Sequence, residues 1–249
     1  MKQKTAIVTG GNRGIGLSIT KELVDANYYV IVGARTDNDL GNKFPKNVIF
    51  VNVDLNCEDS HKKLVEIAIK KTGSLDLYVN NVGLSEWRSI DKIDNNFLDK
   101  ILTTNLKSAF WGCKVAADSM KEGSNIINIS SLAGKRGSKN NSAYCAAKFG
   151  INGLTQSLAK ELGPSNIRVN ALCPVLISTD GLMEALNKKD SPANGSPNEF
   201  IKNFAKTNAA LGRLPSGREV GSMCVLLSSD DASAITGQCI NVDCGVLPQ

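Results

Sequence analysis

The sequence predicts an α/β fold in which one doubly wound parallel sheet is flanked by helices on both faces. Three observations favour it: short apolar runs alternate with amphipathic helical stretches, no internal repeat interrupts them, and no long linker divides them. Apolar strands separated by helices are typical of a parallel sheet covered on both faces. Residues 1–249 are therefore expected to form one domain, with enough chain to bury a substantial core.

Each strand is predicted from a short apolar run bounded by turn residues. The predicted strands are Thr5–Thr9, Tyr29–Gly33, Val48–Val53, Leu75–Asn80, Asn125–Ser130, Arg168–Leu172 and Gln238–Val242. Helices are predicted where apolar residues recur three or four positions apart. The predicted helices are Gly14–Asp25, Asp59–Lys71, Asn96–Met120, Ser142–Leu162 and Arg218–Ser228.

One shift in composition interrupts this alternation. The run from Asn187 to Asn198 is rich in Pro, Gly, Ser and Asn, and the helical pieces Gly181–Leu186 and Glu199–Lys206 flank it. A polar insertion inside a compact domain is either disordered or a mobile cover over a site. We expect a substrate lid around residues 180–206.

Composition narrows the class of protein. The net charge of +5 comes from scattered lysines, so nucleic-acid binding is not indicated. The first strand begins close to Met1, which leaves no room for a signal peptide, and no apolar stretch approaches the ~20 residues of a membrane span. We expect a cytoplasmic protein without membrane association. The seven cysteines have no metal-binding spacing and are expected to be free, mostly buried thiols.

His61 is the only histidine in the chain. A Ser-His-Asp triad or a histidine-based metal site would have to use it. It lies in the polar start of the predicted helix Asp59–Lys71, so we expect a surface role and no metal site. Proton chemistry in this protein should therefore proceed without histidine.

Tyr144 and Lys148 are the most informative pair of side chains. They are four residues apart in a predicted helix, which places them on one face. An ammonium beside a phenol favours the phenolate and should lower the pKa of the tyrosine, which suits general acid–base catalysis. An interfacial ring beside a solvated lysine is the alternative interpretation, and only the accompanying residues can decide between them.

A glycine-rich turn follows the first strand directly and opens the first helix. Its sequence, Thr9 to Gly16, allows a tight turn, close approach of backbone to a pyrophosphate, and phosphate binding at the helix N-terminus. An unliganded strand–helix turn is the alternative. The position in the chain favours nucleotide binding, which makes the predicted sheet one of the Rossmann type.

The chain resembles the short-chain dehydrogenase/reductase family over essentially its whole length. The motifs that carry the resemblance occur in the family's order: Thr9–Gly16, Asp54-Leu55, Asn80–Gly83, Asn105, Ser131, Tyr144 with Lys148, Pro174–Thr179 and Ile235–Gln238. Ser131 precedes Tyr144 by 13 residues, which is the usual interval in the family. The resemblance implies an enzyme that transfers a hydride between a nicotinamide and a carbonyl or secondary alcohol.

The resemblance also implies four catalytic residues. Tyr144 would be the general acid or base, and Lys148 would lower its pKa and hold the nicotinamide ribose. Ser131 would bind the substrate oxygen; the neighbouring Ser130 competes for this role, and the interval to Tyr144 favours Ser131. Asn105 resembles the asparagine that holds a water linking Lys148 to solvent, although a helix asparagine bonded to backbone would look the same.

A larger set of residues would bind the cofactor. Asp54 resembles the family's residue that contacts the adenine, and Asn81 resembles its structural and cofactor-contacting asparagine. Ile177 and Thr179 match the positions that hold the nicotinamide amide. The full predicted set is Gly10, Asn12, Arg13, Gly14, Ile15, Gly16, Arg35, Asp54, Leu55, Asn81, Gly83, Tyr144, Lys148, Pro174, Ile177 and Thr179.

Charge at the end of the second strand predicts NADP(H) rather than NAD. An acid there usually reads the ribose 2′-hydroxyl, whereas a 2′-phosphate needs cations. This chain has Ala34 in place of the acid, Arg35 next to it, and Arg13 in the glycine turn.

Four features depart from the family pattern. Residues 36–47 are too short for a full helix, and Val82 replaces an alanine beside the cofactor. Val175 replaces a glycine, and a β-branched residue does not readily adopt positive φ, so this loop is expected to differ. Cys244 replaces the first glycine of the usual Asp-Gly-Gly. None of these residues transfers a proton.

The substrate is less well defined than the reaction. The overall pattern resembles 3-oxoacyl-carrier-protein reductases and sugar or polyol dehydrogenases. The two stretches expected to supply arginines to an acidic carrier protein, 121–123 and 163–165, contain none, which favours a free small molecule. Trp87, Arg88 and Leu182 are candidate pocket residues, with surface packing as the alternative. A non-catalytic nucleotide sensor is the alternative from another class, and the family implies a homotetramer or homodimer.

Overall fold

The computed structural model describes residues 3–248. Its centre is one sheet of seven strands, all parallel, in the order β3-β2-β1-β4-β5-β6-β7. The strands are β1 (Thr5–Thr9), β2 (Tyr29–Ala34), β3 (Val48–Asn52), β4 (Leu77–Asn80), β5 (Asn125–Ile129), β6 (Arg168–Pro174) and β7 (Cys239–Val242). The predicted α/β class and the parallel sheet are confirmed, and the strand ends differ from the prediction by at most two residues.

Nine α-helices lie in the described part of the chain. They are α1 (Gly14–Asp25), α2 (Leu40–Lys43), α3 (Glu58–Thr72), α4 (Asn95–Leu102), α5 (Ser108–Ser119), α6 (Ser142–Leu162), α7 (Asp180–Leu186), α8 (Pro197–Asn208) and α9 (Gly217–Leu227). The predicted helix Asn96–Met120 is divided, because a π-helical turn at Thr103–Lys107 joins α4 to α5. The short segment between β2 and β3 forms a single turn, α2.

The order of the strands reverses at β1. The chain first adds β2 and β3 on one side of β1, and then β4 to β7 on the other side. A crevice therefore opens beyond the carboxyl ends of β1 and β4, which is where ligands bind in open sheets of this kind. The predicted glycine turn follows β1, and Asn81 and Gly83 follow β4.

Helices bury both faces of the sheet. Ala6 and Val8 of β1 pack with α1 and α9 residues in one core cluster, whereas Ile7 between them packs with α3 and α5 residues in a second cluster. This alternation follows the two-residue period of a strand. A smaller cluster around Trp87, Leu186 and Ala193 packs the 180–206 segment onto the loop that follows β4.

The prediction of a surface role for His61 is wrong. The side chain is fully buried, with Nδ1 2.7 Å from the Tyr78 hydroxyl and Nε2 3.0 Å from the Leu55 carbonyl oxygen. His61 lies on the face of α3 that packs against the sheet, in a turn whose other residues are polar. Because its neighbours in the chain are polar, the sequence pattern did not indicate that His61 is buried.

The seven cysteines are free, as predicted, and four of them are buried: Cys113, Cys145, Cys173 and Cys224. Within residues 3–248, no helix is long and apolar enough to cross a membrane. The same residues contain no group of three or more His, Cys, Asp or Glu side chains placed to hold a metal ion.

Candidate active site

The glycine turn after β1 is built for close backbone contact. Gly10 and Gly14 have φ of +64° and +54°, a region that side chains rarely adopt. A Cβ on Gly16 would lie 2.2 Å from the Gly10 carbonyl oxygen, so only glycine fits there. The Asn81 amide donates to the carbonyl oxygens of Thr9 and Gly10, at 2.9 and 3.3 Å, which ties this turn to the loop after β4.

The N-terminus of α1 faces the crevice. Arg13 is the N-cap residue of α1 and has an extended backbone. Its side chain makes no capping hydrogen bond within the described part of the chain. The first amides of the helix, which include those of Ile15 and Gly16, are thus available to an anion. Val82, which departs from the family's alanine, lies over the same turn, and its Cγ2 would be 3.1 Å from a Cβ on Gly10.

A second set of contacts joins the glycine turn to the end of β2. The buried Asn12 donates through Nδ2 to the Thr36 carbonyl oxygen at 2.8 Å, and the neighbours of these two residues in the chain, Arg13 and Arg35, are exposed. Ala34, where an acid is usual, is buried. The end of β2 and the glycine turn thus each expose one arginine to solvent.

Asp54 and Leu55 form the corner between β3 and α3. The Asp54 side chain is exposed, and its carboxylate accepts from the Asn56 amide at 3.2 Å. Leu55 is buried, and its carbonyl oxygen is bonded to His61. The corner is thus an exposed carboxylate on a fixed backbone.

Lys148 is buried within the crevice wall, although lysine is normally solvated. Its Nζ donates to the Ile129 carbonyl oxygen at the end of β5, at 2.9 Å. Burial lowers the pKa of the ammonium to about 8. A Cβ on Gly83 would lie 3.0 Å from Asn105 Oδ1 and 3.6 Å from Lys148 Nζ, so this glycine leaves room between the two side chains.

Tyr144 lies one turn before Lys148 on α6, with the lysine Nζ 5.6 Å from its ring centre. Burial raises the pKa of the Tyr144 phenol to about 12, and a hydrogen bond with Ser131 lowers it only in part. Lys148 donates to the Ile129 carbonyl oxygen and makes no hydrogen bond with the phenol here, so burial outweighs the charge of the lysine in setting the pKa of the tyrosine.

The two serines after β5 have different surroundings. Ser131 is half-buried and hydrogen-bonded to Tyr144, and its Oγ accepts from the Ala133 amide at 3.1 Å. Ser130 is buried and donates to the Lys148 carbonyl oxygen at 3.3 Å, away from the phenol. The structure thus brings Ser131, and not Ser130, to Tyr144.

Asn105 is buried in the π-helical turn between α4 and α5. Its Nδ2 donates to the carbonyl oxygens of Leu84 and Ile101, both at 2.9 Å, and its Oδ1 accepts from the Leu84 amide at 3.0 Å. The side chain thus bonds backbone, which was the alternative that the sequence left open. π-Helical turns are frequent at functional sites.

The segment after β6 covers the crevice. Pro174 and Ile177 are buried, and Thr179 caps α7 by accepting from the Leu182 amide at 3.2 Å. The Thr179 methyl would lie 3.5 Å from a Cβ on Gly14, so this segment reaches the glycine turn. Pro174, Ile177 and Thr179 therefore lie on the same side of the crevice.

Two of the departures from the family pattern lie next to each other. Val175 is outside the left-handed region and packs with Leu132 and Val246. Cys244 of the same cluster has φ of +55°, so it keeps the backbone of the glycine that it replaces. The chain accommodates both substitutions in one apolar cluster behind the Ser131 turn.

Sequence reasoning missed one part of the site. Glu86 is only 8% exposed, and its carboxylate lies 2.7 Å from Lys188, 3.1 Å from Arg88 and 3.8 Å from Lys100. Burial raises the pKa of this carboxyl, but the Lys188 hydrogen bond and the neighbouring cations outweigh it and leave the pKa below its ordinary value. The available signal was a charged residue beside an aromatic residue in the loop that follows the fourth strand.

The three candidate pocket residues have different surroundings. Trp87 is buried in the cluster that packs the 180–206 segment, and Leu182 packs against the same cluster. The Arg88 guanidinium stacks on the Phe97 ring, 3.9 Å from its centre. Two of the three therefore join the 180–206 segment to the loop after β4, and the third braces that loop on α4.

These features fit a nucleotide and a redox reaction. The glycine cradle, the open N-terminus of α1 and the space at Gly83 would accept a dinucleotide along the crevice. A doubly wound sheet with such a turn at its switch point, beside a tyrosine and a buried lysine one turn apart, is the arrangement of dinucleotide-dependent oxidoreductases.

The comparison with protein families agrees with this class. The family model for short chain dehydrogenases matches residues 4–190, so the chain belongs to that family. It is an oxidoreductase that acts on CH–OH or C=O groups with NAD(P).

Similar proteins catalyse several reactions of this type. The chain is 34% identical to a 3-oxoacyl-[acyl-carrier-protein] reductase of Chlamydia trachomatis, over 98% of this chain and 97% of that one. It is 30% identical to the L-2,3-butanediol dehydrogenase of Corynebacterium glutamicum, over 98% of each. Among solved structures, the aldohexose dehydrogenase of Thermoplasma acidophilum superposes with a TM-score of 0.88 at 28% identity, covering 100% of this chain and 98% of that one.

Proposed function

We propose that this protein is an NADP(H)-dependent oxidoreductase of small-molecule carbonyls and secondary alcohols, with Tyr144 as its general acid and base. The observation that carries the proposal is that Tyr144 is hydrogen-bonded to Ser131 and has the Lys148 Nζ 5.6 Å from its ring centre. With a pKa of about 12, the phenol is protonated at neutral pH and ready to donate to a carbonyl oxygen.

In reduction, each side chain has one task. The Ser131 hydroxyl orients the substrate oxygen and stabilises the negative charge that develops on it. Tyr144 donates its proton to that oxygen, and Lys148, protonated below about pH 8, stabilises the phenolate left behind. A bound nicotinamide supplies the hydride in reduction and accepts it in oxidation. Asn105 would connect Lys148 to solvent through a water.

The cofactor would lie along the crevice. Gly10, Asn12, Gly14, Ile15 and Gly16 would hold the pyrophosphate at the α1 N-terminus, where no side chain caps the first amides of the helix. At the other positions, the adenine would meet Asp54 and Leu55, the ribose Lys148, and the nicotinamide Asn81, Gly83, Pro174, Ile177 and Thr179.

The choice of NADP(H) rests on two exposed arginines. Arg13 and Arg35 are next in the chain to Asn12 and Thr36, whose hydrogen bond joins the glycine turn to the end of β2; a ribose 2′-phosphate would extend there, and Ala34 offers no acid. Michaelis constants for NADPH and NADH test this choice. We expect a clear preference for NADPH, and Arg35→Asp should shift it towards NADH; a wild-type preference for NADH would refute the assignment.

The substrate class has two candidates. We favour a free small molecule, enclosed by residues 180–206 as a lid, because Glu86 and Trp87 join that segment to the loop after β4. The similarity to a 3-oxoacyl-[acyl-carrier-protein] reductase favours the second candidate, reduction of a carrier-bound thioester. Turnover of NADPH with β-ketoesters, diketones, quinones, ketosugars and a thioester analogue distinguishes them. Reduction of the thioester alone would favour the second.

A nucleotide sensor without catalysis is the alternative from another class. It predicts tight NADPH binding and no oxidation of NADPH with any compound of the same panel. The intact Ser131, Tyr144 and Lys148 favour the enzyme.

We also infer a cytoplasmic homotetramer or homodimer in which residues 1–249 act as one catalytic domain. The free thiols fit a reducing compartment. Large apolar side chains on α5 and α6 are exposed, notably Phe110 and Phe149, each at 48%. Such side chains fit an interface between copies.

A further inference from the structure

The buried pair of His61 and Tyr78 is not used by the proposed chemistry. Both side chains are fully buried, one on α3 and the other on β4. The pair is nevertheless connected to the crevice, because the second ring nitrogen of His61 is bonded to the Leu55 carbonyl oxygen at 3.0 Å. Leu55 and Asp54 form the corner proposed to meet the adenine.

The hydrogen bonds define the tautomer of His61. A carbonyl oxygen only accepts, so Nε2 must carry the proton and donate it to Leu55. Nδ1 is then an acceptor, and the Tyr78 hydroxyl must donate to it over 2.7 Å. Burial lowers the pKa of the imidazole, and the Leu55 bond and the Glu58 charge oppose this only in part, so the ring is neutral at pH 7.

This pair joins two parts of the fold that the sheet keeps apart. Two strands, β2 and β1, separate β3 from β4. The chain of hydrogen bonds from Tyr78 through His61 to Leu55 links β4 directly to the corner after β3. It also satisfies a carbonyl group that would otherwise be buried without a partner, since Leu55 is 4% exposed.

We propose that His61 is a positioning residue for the adenine end of the cofactor. It holds the Leu55 carbonyl group and thereby sets the position of the Asp54 carboxylate. This inference rests on the proposed binding of the cofactor at Asp54 and Leu55. A histidine that only fills the core would contribute to stability without affecting the cofactor.

Three variants separate these roles. His61→Leu removes both hydrogen bonds, and His61→Gln keeps an amide long enough to donate to Leu55. Tyr78→Phe removes the donor to Nδ1 and leaves the bond to Leu55, so it is the matched control for loss of a buried hydrogen bond. For each protein, the change in NADPH fluorescence on binding gives the dissociation constant of NADPH, and competition with NADPH gives that of adenosine 2′,5′-bisphosphate. The thermal midpoint of unfolding is measured for the same proteins.

We expect His61→Leu to raise the dissociation constants of both ligands about tenfold, because a tenfold change corresponds to the free energy of about one hydrogen bond. His61→Gln should recover most of this affinity. Tyr78→Phe should lower the thermal midpoint yet leave both dissociation constants within about twofold. With any substrate that the panel yields, His61→Leu should raise the KM for NADPH and leave kcat unchanged.

Two results would overturn the inference: unchanged affinity in His61→Leu, or the same loss in Tyr78→Phe. If His61→Leu does not fold, His61→Asn replaces it, because its shorter amide reaches Tyr78 but not Leu55; equal affinities of the Asn and Gln variants would then overturn the inference. Failure of the wild-type protein to bind NADPH is distinct, since it refutes the proposed cofactor itself.

Discussion

At the scale of single residues, burial determines the chemistry of the candidate site. It raises the pKa of Tyr144 to about 12 and lowers the pKa of Lys148 to about 8. Both shifts favour the neutral form of a buried group. The Tyr144 phenol is therefore protonated at neutral pH, and the Lys148 ammonium keeps its charge there at a cost in folding free energy.

Replacing Tyr144 by Phe tests the proton donor. The change removes one hydroxyl and keeps the ring, so we expect the rate of carbonyl reduction to fall by about 10²-fold or more. NADPH affinity should change by less than about threefold, because the phosphate-binding turn is untouched. Steady-state rates and a fluorescence titration provide the two numbers. A variant that keeps most of its rate would assign the proton to another group.

Lys148→Met tests the cost of the buried charge through its dependence on pH. The pKa of Lys148 is about 8 when folded and 10.5 in its ordinary state. Between these values the unfolded chain holds the proton and the folded protein does not, so stability rises with pH. Below pH 8 the buried charge lowers the free energy of unfolding by at most about 3 kcal/mol.

The Met variant should therefore be more stable than the wild type at pH 7, offset partly by loss of the bond to the Ile129 carbonyl. This advantage should shrink as the pH rises from 8 to 10. Urea unfolding of both proteins across that range measures it. An advantage that stays constant or grows with pH would contradict the shift.

At the scale of elements, contacts between segments distant in sequence hold the 180–206 segment, the proposed lid, on the loop after β4. Glu86, after β4, is bonded to Lys188 in the 180–206 segment, and Lys92 is bonded to Asp190 at 2.9 Å. Both lysines are about half exposed, and the pairs differ in the carboxylate: the Glu86 side chain is 9% exposed and that of Asp190 is 19% exposed. A mostly buried carboxylate among three cations is worth more than an exposed pair.

Glu86→Gln should loosen the proposed lid. Loss of the carboxylate leaves the neighbouring cations uncompensated, which should cost the closed position about 1–2 kcal/mol, or a factor of about 5–30 in the open population. Limited proteolysis between residues 187 and 198 reports opening, and the KM of the substrate should rise. Lys92→Gln is the control and should change neither measurement; equal effects of the two variants would remove Glu86 from this role.

At the scale of the whole molecule, the reversal of strand order at β1 brings the site together. The glycine turn, the Asp54 corner, the loop after β4, the Ser131 turn and the segment after β6 all emerge at the carboxyl edge of one sheet. The same packing leaves two large apolar side chains on the surface, Phe110 on α5 and Phe149 on α6.

Phe149→Asp should reduce the mass of the assembly in solution. A charge at an apolar interface is costly, whereas the same change on an exposed face is tolerated. Light scattering should show a smaller species with unchanged circular dichroism. Ile69→Asp on α3, at a position 38% exposed, is the control and should keep the mass of the wild type. A monomeric wild type would refute the proposed assembly.

The local patterns of the sequence were sufficient for the strands, most helices and the glycine turn. Periods of two and near four residues depend on neighbours in the chain, so Thr5–Thr9, Gly14–Asp25 and Ser142–Leu162 agree with the structure to the residue. The helix through Asn105 was harder, because a π-helical turn changes no periodicity that the pattern could detect.

By itself, the sequence determined the fold class, the family and which residues stand one helical turn apart. Only the tertiary structure decided that His61 is buried, that Glu86 collects three cations and that Lys148 points at the Ile129 carbonyl rather than at the phenol of Tyr144. The physical reason is that burial and pKa depend on atoms brought together from distant segments, such as Glu86 and Lys188, which are 102 positions apart in the chain. Local pattern carries no record of those contacts.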